Sequence, residues 1–216
     1  MKDIHLLTAA LVALAANCFA ATITVDGTGL REMLKAGSTD PVPAGSDILV
    51  GYFTGLTDAQ IISNQHNPTF LESKFISFGL GGAIGQGVGG AAGYFTSVTT
   101  AMVEAPGATF TLPSAPNNNQ IYVWIFDSNI SAANATQQAI FTSSAANWSW
   151  PVTDDGSTDR MVSPDDNLSM LIGTADSSSV HLAAMPEPAS CGLLVMGLAG
   201  LLGMRRVEKR PHPARG

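Results

Sequence analysis

The chain carries only two cysteines, Cys18 and Cys191, one near each end. The stretch between them can form no disulfide and no thiolate metal site, so its stability has to come from burial. Cationic residues are nearly as scarce. From residue 21 to 185 there are four (Arg31, Lys35, Lys74 and Arg160) against fourteen carboxylates, a balance of −10. That charge excludes nucleic acid and anionic membrane as electrostatic partners of this body, and it favours solubility. The same stretch holds three glutamates (Glu32, Glu72, Glu104) and two histidines (His66, His181). It has no Gly-x-Ser-x-Gly, no His-Glu-x-x-His and no histidine cluster, so serine-hydrolase and zinc chemistry have no motif to rest on. A two-carboxylate glycosidase would need acids distant in sequence to meet in space, and nothing in the sequence selects a pair. The body is therefore expected to be non-enzymatic.

Both cysteines fall in terminal segments with a composition of their own. Met1-Lys2 opens a weakly charged start, residues 6–16 form an apolar core, and Cys18-Phe19-Ala20 ends in small residues. This is the layout of a secretory signal peptide over residues 1–20, cut between Ala20 and Ala21. Ala15-Ala16-Asn17-Cys18 places Asn before the cysteine, which argues against a lipoprotein site.

The other end reads Pro186-Glu187-Pro188, an uncharged run over 191–204, and then the basic residues Arg205, Arg206, Lys209 and Arg210. The run of about fourteen residues would rise about 21 Å as a helix. A permanent span needs roughly 17–25 residues, so this one is marginal in a bilayer. The basic cluster should remain cytoplasmic, which leaves the Pro-Glu-Pro triplet on the outer face. There the two prolines forbid helix and keep the peptide extended. The order of triplet, apolar helix and basic end over residues 186–210, followed by a short tail to 216, resembles the PEP-CTERM sorting signal of diderm bacteria. The resemblance implies an exosortase as reader, after export through the Sec translocon and cutting by signal peptidase. It further implies transient residence in the inner membrane, then the cell surface or extracellular matrix, in company with exopolysaccharide. It covers the tail alone and says nothing of the body.

About 165 residues between the two signals suffice for a single hydrophobic core. Short β-prone bursts lie between turn residues at 21–25, 48–53, 109–112, 121–126, 138–142, 168–172 and 180–183,. Residues 57–63, with Thr57 as N-cap, suit a short helix, and 131–138 suit one helical turn. Many strands, few helices and no βαβ rhythm predict an all-β fold, a single antiparallel β-sandwich or jelly roll. Between Lys74 and Asp127 the only charged residue is Glu104. Such a stretch suits the buried heart of the domain crossed by a flexible glycine-rich loop, or else a self-association surface.

Three features of the body could carry binding. Gly85-Gln86-Gly87-Val88-Gly89-Gly90 matches the dinucleotide pattern formally, but the text after it is β-prone and supplies no helix N-terminus for a pyrophosphate. Asp154, Asp155 and Asp159 lie in an acidic, turn-rich segment that would suit Ca²⁺ through oxygen ligands, though without EF-hand spacing. Trp148 and Trp150, two apart, would share one face of an extended segment and could stack on a sugar or anchor a core. No other cofactor is expected.

Overall fold

The computed structural model describes residues 20–27, 31–78, 81–103, 120–129, 135–149, 160–164 and 166–185. The leader, the sorting tail, residues 109–112, Trp150 and the acidic segment at Asp154, Asp155 and Asp159 lie outside the described residues. The chain divides into two compact units, 1–185 and 186–216; the description below concerns the first.

That unit is mostly β-strand. In chain order it runs β1 (Ala20–Asp26), β2 (Glu32–Leu34), β3 (Asp47–Phe53), α1 (Asp58–Ser63), α2 (Pro68–Lys74), β4 (Phe75–Ser77), β5 (Gly82–Ala83) and β6 (Ser97–Val103). It continues with β7 (Tyr122–Phe126), β8 (Gln137–Ser143), a 3₁₀ turn (Ala146–Trp148), β9 (Arg160–Val162), β10 (Leu168–Ile172), β11 (Thr174–Ala175), β12 (Ser179–His181) and β13 (Ala183–Ala184). The main sheet has the order β10-β8-β7-β3-β4, with β13 beside β8 and β5 beside β3. Two three-stranded sheets, β6-β1-β9 and β11-β12-β2, accompany it. The pairing is antiparallel, as expected, except at β1–β9 and β2–β12, which are parallel. Parallel neighbours need a long crossover, and both of these join strands from opposite ends of the body.

β7 is built wholly of apolar and aromatic residues, and all five are buried. A sheet with one wet face would leave every second residue exposed. Here both faces are covered. Tyr122, Trp124 and Phe126 point to one side, where Phe53 and Phe75 join them at ring separations of 4.9 to 5.8 Å. Edge-on and tilted contacts of this kind contribute about 0.5–1.5 kcal/mol each beyond their buried area. The helical segment closes over this side through polar pins. Tyr122 Oη donates to Asp58 Oδ1 at 2.7 Å, Trp124 Nε1 donates to Gln138 Oε1 at 2.9 Å, and Gln138 Nε2 donates to the Gln65 carbonyl at 2.7 Å. Ile61 of α1 and Leu71 of α2 are fully buried beneath it. On the opposite side Val123 pairs with Phe141, which packs on Trp148 at 6.1 Å.

The first helix starts where its sequence predicts. Thr57 accepts the Gln60 N–H, and Gln60 Oε1 accepts the Thr57 N–H in return, a capping box,. The expected helical turn at 131–138 is not what forms at its C-terminal end, where Gln137 opens β8. Asp127 decides this: its carboxylate accepts the N–H groups of Thr136 and Gln137 at 2.9 and 3.1 Å and the Thr136 hydroxyl, fixing the entry to the strand. The glycine-rich stretch is a built turn. Gly85 N–H reaches the Tyr94 carbonyl at 2.6 Å and Thr96 N–H reaches the Gln86 carbonyl at 2.9 Å. Strand β6 follows it, so no helix stands behind the Gly-x-Gly-x-x-Gly text.

Candidate functional site

The hairpin β11–β12 joins four polar side chains, Asp176, Ser178, Ser179 and His181, in one hydrogen-bonded cluster. Its turn is built by Asp176. One oxygen, Oδ1, accepts the N–H groups of Ser178 and Ser179 at 2.7 and 2.8 Å and the Ser178 hydroxyl at 3.0 Å. The other, Oδ2, accepts the Ser179 hydroxyl at 2.9 Å. Strand alternation then places Ser179 and His181 on one face of β12, while Val180 points into the core,. His181 Nε2 lies 3.0 Å from Ser179 Oγ and 3.6 Å from Asp176 Oδ2. Gly173 (φ +91°) makes the approach to this hairpin possible, since a Cβ there would run into the His181 carbonyl oxygen,. The cluster borders an open recess of about 530 Å³, shared with Thr174, with Gln65 just beyond α1 and with Gly37.

Serine, histidine and aspartate together invite comparison with a hydrolytic triad, but the arrangement differs. The N–H groups and hydroxyls of Ser178 and Ser179 hold the Asp176 carboxyl well below the usual carboxylate range. It is therefore an acceptor only, and the Ser179 O–H is committed to it. Nε2 then has to donate to Ser179 Oγ, so it already carries a proton and cannot remove one from the hydroxyl. A nucleophilic serine needs the opposite tautomer, with the carboxylate behind Nδ1. Ser179 is also only 5% exposed.

Trp148 is fully buried. This corrects the sugar-stacking expectation at that residue: it closes the 3₁₀ turn with its ring against Phe141, and no face of the indole is left for a ligand. Its Nε1 donates to Asp166 Oδ2 at 2.6 Å, and Asn147 Nδ2 and the Ser163 N–H donate to the same oxygen at 3.1 Å. Burial pushes the Asp166 carboxyl up, but the three donors outweigh it and the net shift is downward. Among the other large rings, Tyr52, Tyr122 and Trp124 are buried and Tyr94 is exposed. His66 is exposed, as a polar loop residue should be. Ala20 and Ala21 begin β1, opposite Val103 and Met102. No three of His, Cys, Asp and Glu gather among the described residues, so a cation held there would need a hydroxyl or carbonyl donor as well. No helix among them is long and apolar enough to cross a membrane.

A pH dependence follows from Asp166. Its folded pKa lies below the unfolded value of about 3.9, so it contributes stability above that pH. The contribution is lost as pH falls through the lower folded value. Trp148→Phe keeps the ring and removes one donor to a charged acceptor, which should cost about 1–2 kcal/mol at pH 7. The gap in Tm between wild type and variant should narrow as the pH is taken from 6 to 2. A gap of constant size would show that the hydrogen bond to the carboxylate is not what the variant lost.

Asp176, Ser179 and His181 belong to no recognised motif of the sequence. Their spacing, Asp-x-x-Ser-x-His within six residues, was the available signal, and it acquires meaning only once the hairpin brings the three together. The chain matches no protein-family model, no curated protein and no solved structure.

Proposed function

We propose that this is an exported protein of the cell surface or extracellular matrix of a diderm bacterium, sorted through a PEP-CTERM tail. In this reading signal peptidase cuts between Ala20 and Ala21 after Sec export. The segment 191–204 holds the chain in the inner membrane with Arg205, Arg206, Lys209 and Arg210 inside, and an exosortase acts at Pro186-Glu187-Pro188. The body is a β-sandwich with a structural, non-enzymatic role beside exopolysaccharide.

One observation carries the reading: the compact unit ends at Met185, the residue immediately before the triplet. The last backbone tie of the body is the Met185 N–H to the Thr136 carbonyl at 2.7 Å. A cut beyond it therefore leaves every described hydrogen bond of the body intact. At the other end, removal through Ala20 costs β1 only its first residue and leaves the register from Ala21 to Asp26 in place. The sandwich reading is supported by the small sheet around β1, whose Ile23 and Val25 belong to the same core as Val50, Val123 and Phe141 of the main sheet. Carbohydrate binding through Trp148 has lost its footing with the burial of that ring.

Intact mass and cell fractionation of the protein from its own host test the proposal. A species beginning at Ala21 and ending near residue 186, outside the cell or on its surface, is the expected result. A chain that retains residues 191–210 and stays in the inner membrane would overturn it.

A further inference from the structure

Three donor atoms of the β11–β12 hairpin form a compact triangle. Its sides are 2.9 Å from Ser179 Oγ to Asp176 Oδ2, 3.0 Å from Ser179 Oγ to His181 Nε2, and 3.6 Å from Nε2 to Oδ2. Donors that share one cation at about 2.1 Å stand about 3.0 Å apart in an octahedral shell and about 3.4 Å apart in a tetrahedral one. For a triangle of these dimensions, a point about 2.1 Å from all three atoms lies about 1 Å off their plane. We propose that Asp176, Ser179 and His181 form a binding site for a divalent first-row transition cation, with water from the adjoining recess completing its shell. The inference does not depend on how the chain is sorted.

The surroundings fit that role. Oδ1 is fixed by three donors from Ser178 and Ser179, which leaves Oδ2 turned toward the other two ligands. Hydrogen bonds of this kind behind a ligating carboxylate orient it for a metal. The Asp176 side chain is 55% exposed and the His181 ring 27%, so a hydrated cation can reach both. An imidazole in the set favours Zn²⁺, Co²⁺ or Ni²⁺ over Ca²⁺ and Mg²⁺, which prefer oxygen alone. Binding requires a lone pair on Nε2. Without a cation Nε2 donates to Ser179 Oγ. On binding, the neutral ring carries its proton on Nδ1 instead and the Ser179 O–H turns away from Oδ2, so the number of protons on the protein is unchanged.

The experiment uses the purified protein stripped with a chelator and then titrated with Zn²⁺ and Co²⁺. One equivalent should bind, and Tm should rise by about 5–10 °C once free cation exceeds Kd about 100-fold. Cobalt bound to an imidazole nitrogen and oxygens should add visible absorption bands. His181→Gln and Asp176→Asn should each weaken binding at least about tenfold while the circular dichroism spectrum is unchanged. Imidazole NMR spectra of the unaltered protein supply a readout that does not depend on either variant folding: Zn²⁺ should shift the His181 ring. Failure to bind at about 1 mM cation, equal binding by both folded variants, or a shift confined to other histidines would overturn the proposal.

Discussion

Trp124→Ala should remove about 3–5 kcal/mol of stability, a large share of the roughly 5–15 kcal/mol that holds a domain of this size. The ring is fully buried at the centre of the main sheet, in contact with Phe53, Phe75 and Phe126. Truncation opens a cavity that three other rings cannot fill by relaxing. It also strips Gln138 Oε1 of its donor in a buried setting, and an orphaned acceptor there adds about 1–3 kcal/mol. Because Gln138 in turn holds the Gln65 carbonyl, the loss should spread to the helical segment over the sheet. Urea denaturation followed by circular dichroism gives the number. A loss below about 1 kcal/mol would mean that the aromatic layer is not the centre of the fold. Trp124→Phe should fall between the two, since it keeps most of the volume and loses the N–H.

The second large effect is expected at Gly51, in the middle of β3. Its Cα faces Ser77 on one side and Tyr122 on the other, and a Cβ built there would run into the Ile76 carbonyl oxygen, with Phe75 Cζ at 2.8 Å. The obstacle on that side is backbone, which cannot rotate away as a side chain can. Gly51→Ala should therefore push β4 off β3 and cost about 2–3 kcal/mol, the upper range for overpacking. Gly55→Ala makes the control. That residue has φ +70° and nothing within 4 Å of a new Cβ, so only the left-handed backbone is penalised, by about 1 kcal/mol. Thermal melts of the two variants should rank Gly51→Ala well below Gly55→Ala. The reverse order would show that the β3–β4 contact yields easily.

The elements readable in the sequence are those whose signal is local. Residues 48–53 and 121–126 are dense in β-branched and aromatic side chains between turn clusters, and they form β3 and β7 almost as bounded. Residues 168–172 form β10 as bounded. Thr57 caps α1 because capping needs only the four residues from Thr57 to Gln60. Helix α2 was also locally marked, by Asn67 as cap and Pro68 in the first turn,; the polar text around His66 hid it. The segment 180–183 became two short strands, β12 and β13, because Ser179–His181 pairs with β2 while Ala183–Ala184 pairs with β8. No local pattern foretells a change of partner. The same limit explains Trp148. Its neighbours in sequence suggest an extended segment, and its burial is decided by Phe141 and Asp166, which lie beyond the reach of that local pattern.

The two parallel pairings set the order in which the body can be completed. β1 lies beside β9 and β2 beside β12, so strands near the start of the body wait for partners near its end. Contacts of such high sequence separation carry the loop-closure cost before they return any stability, and chains dominated by them fold in milliseconds to seconds. The main sheet from β3 to β8 can assemble earlier, but β2 stays without β12 until residue 181 has emerged. A chain delivered from its N-terminus through a narrow channel would thus remain incomplete until almost the whole body had passed. Completion only after residue 181 is available is built into the strand order itself.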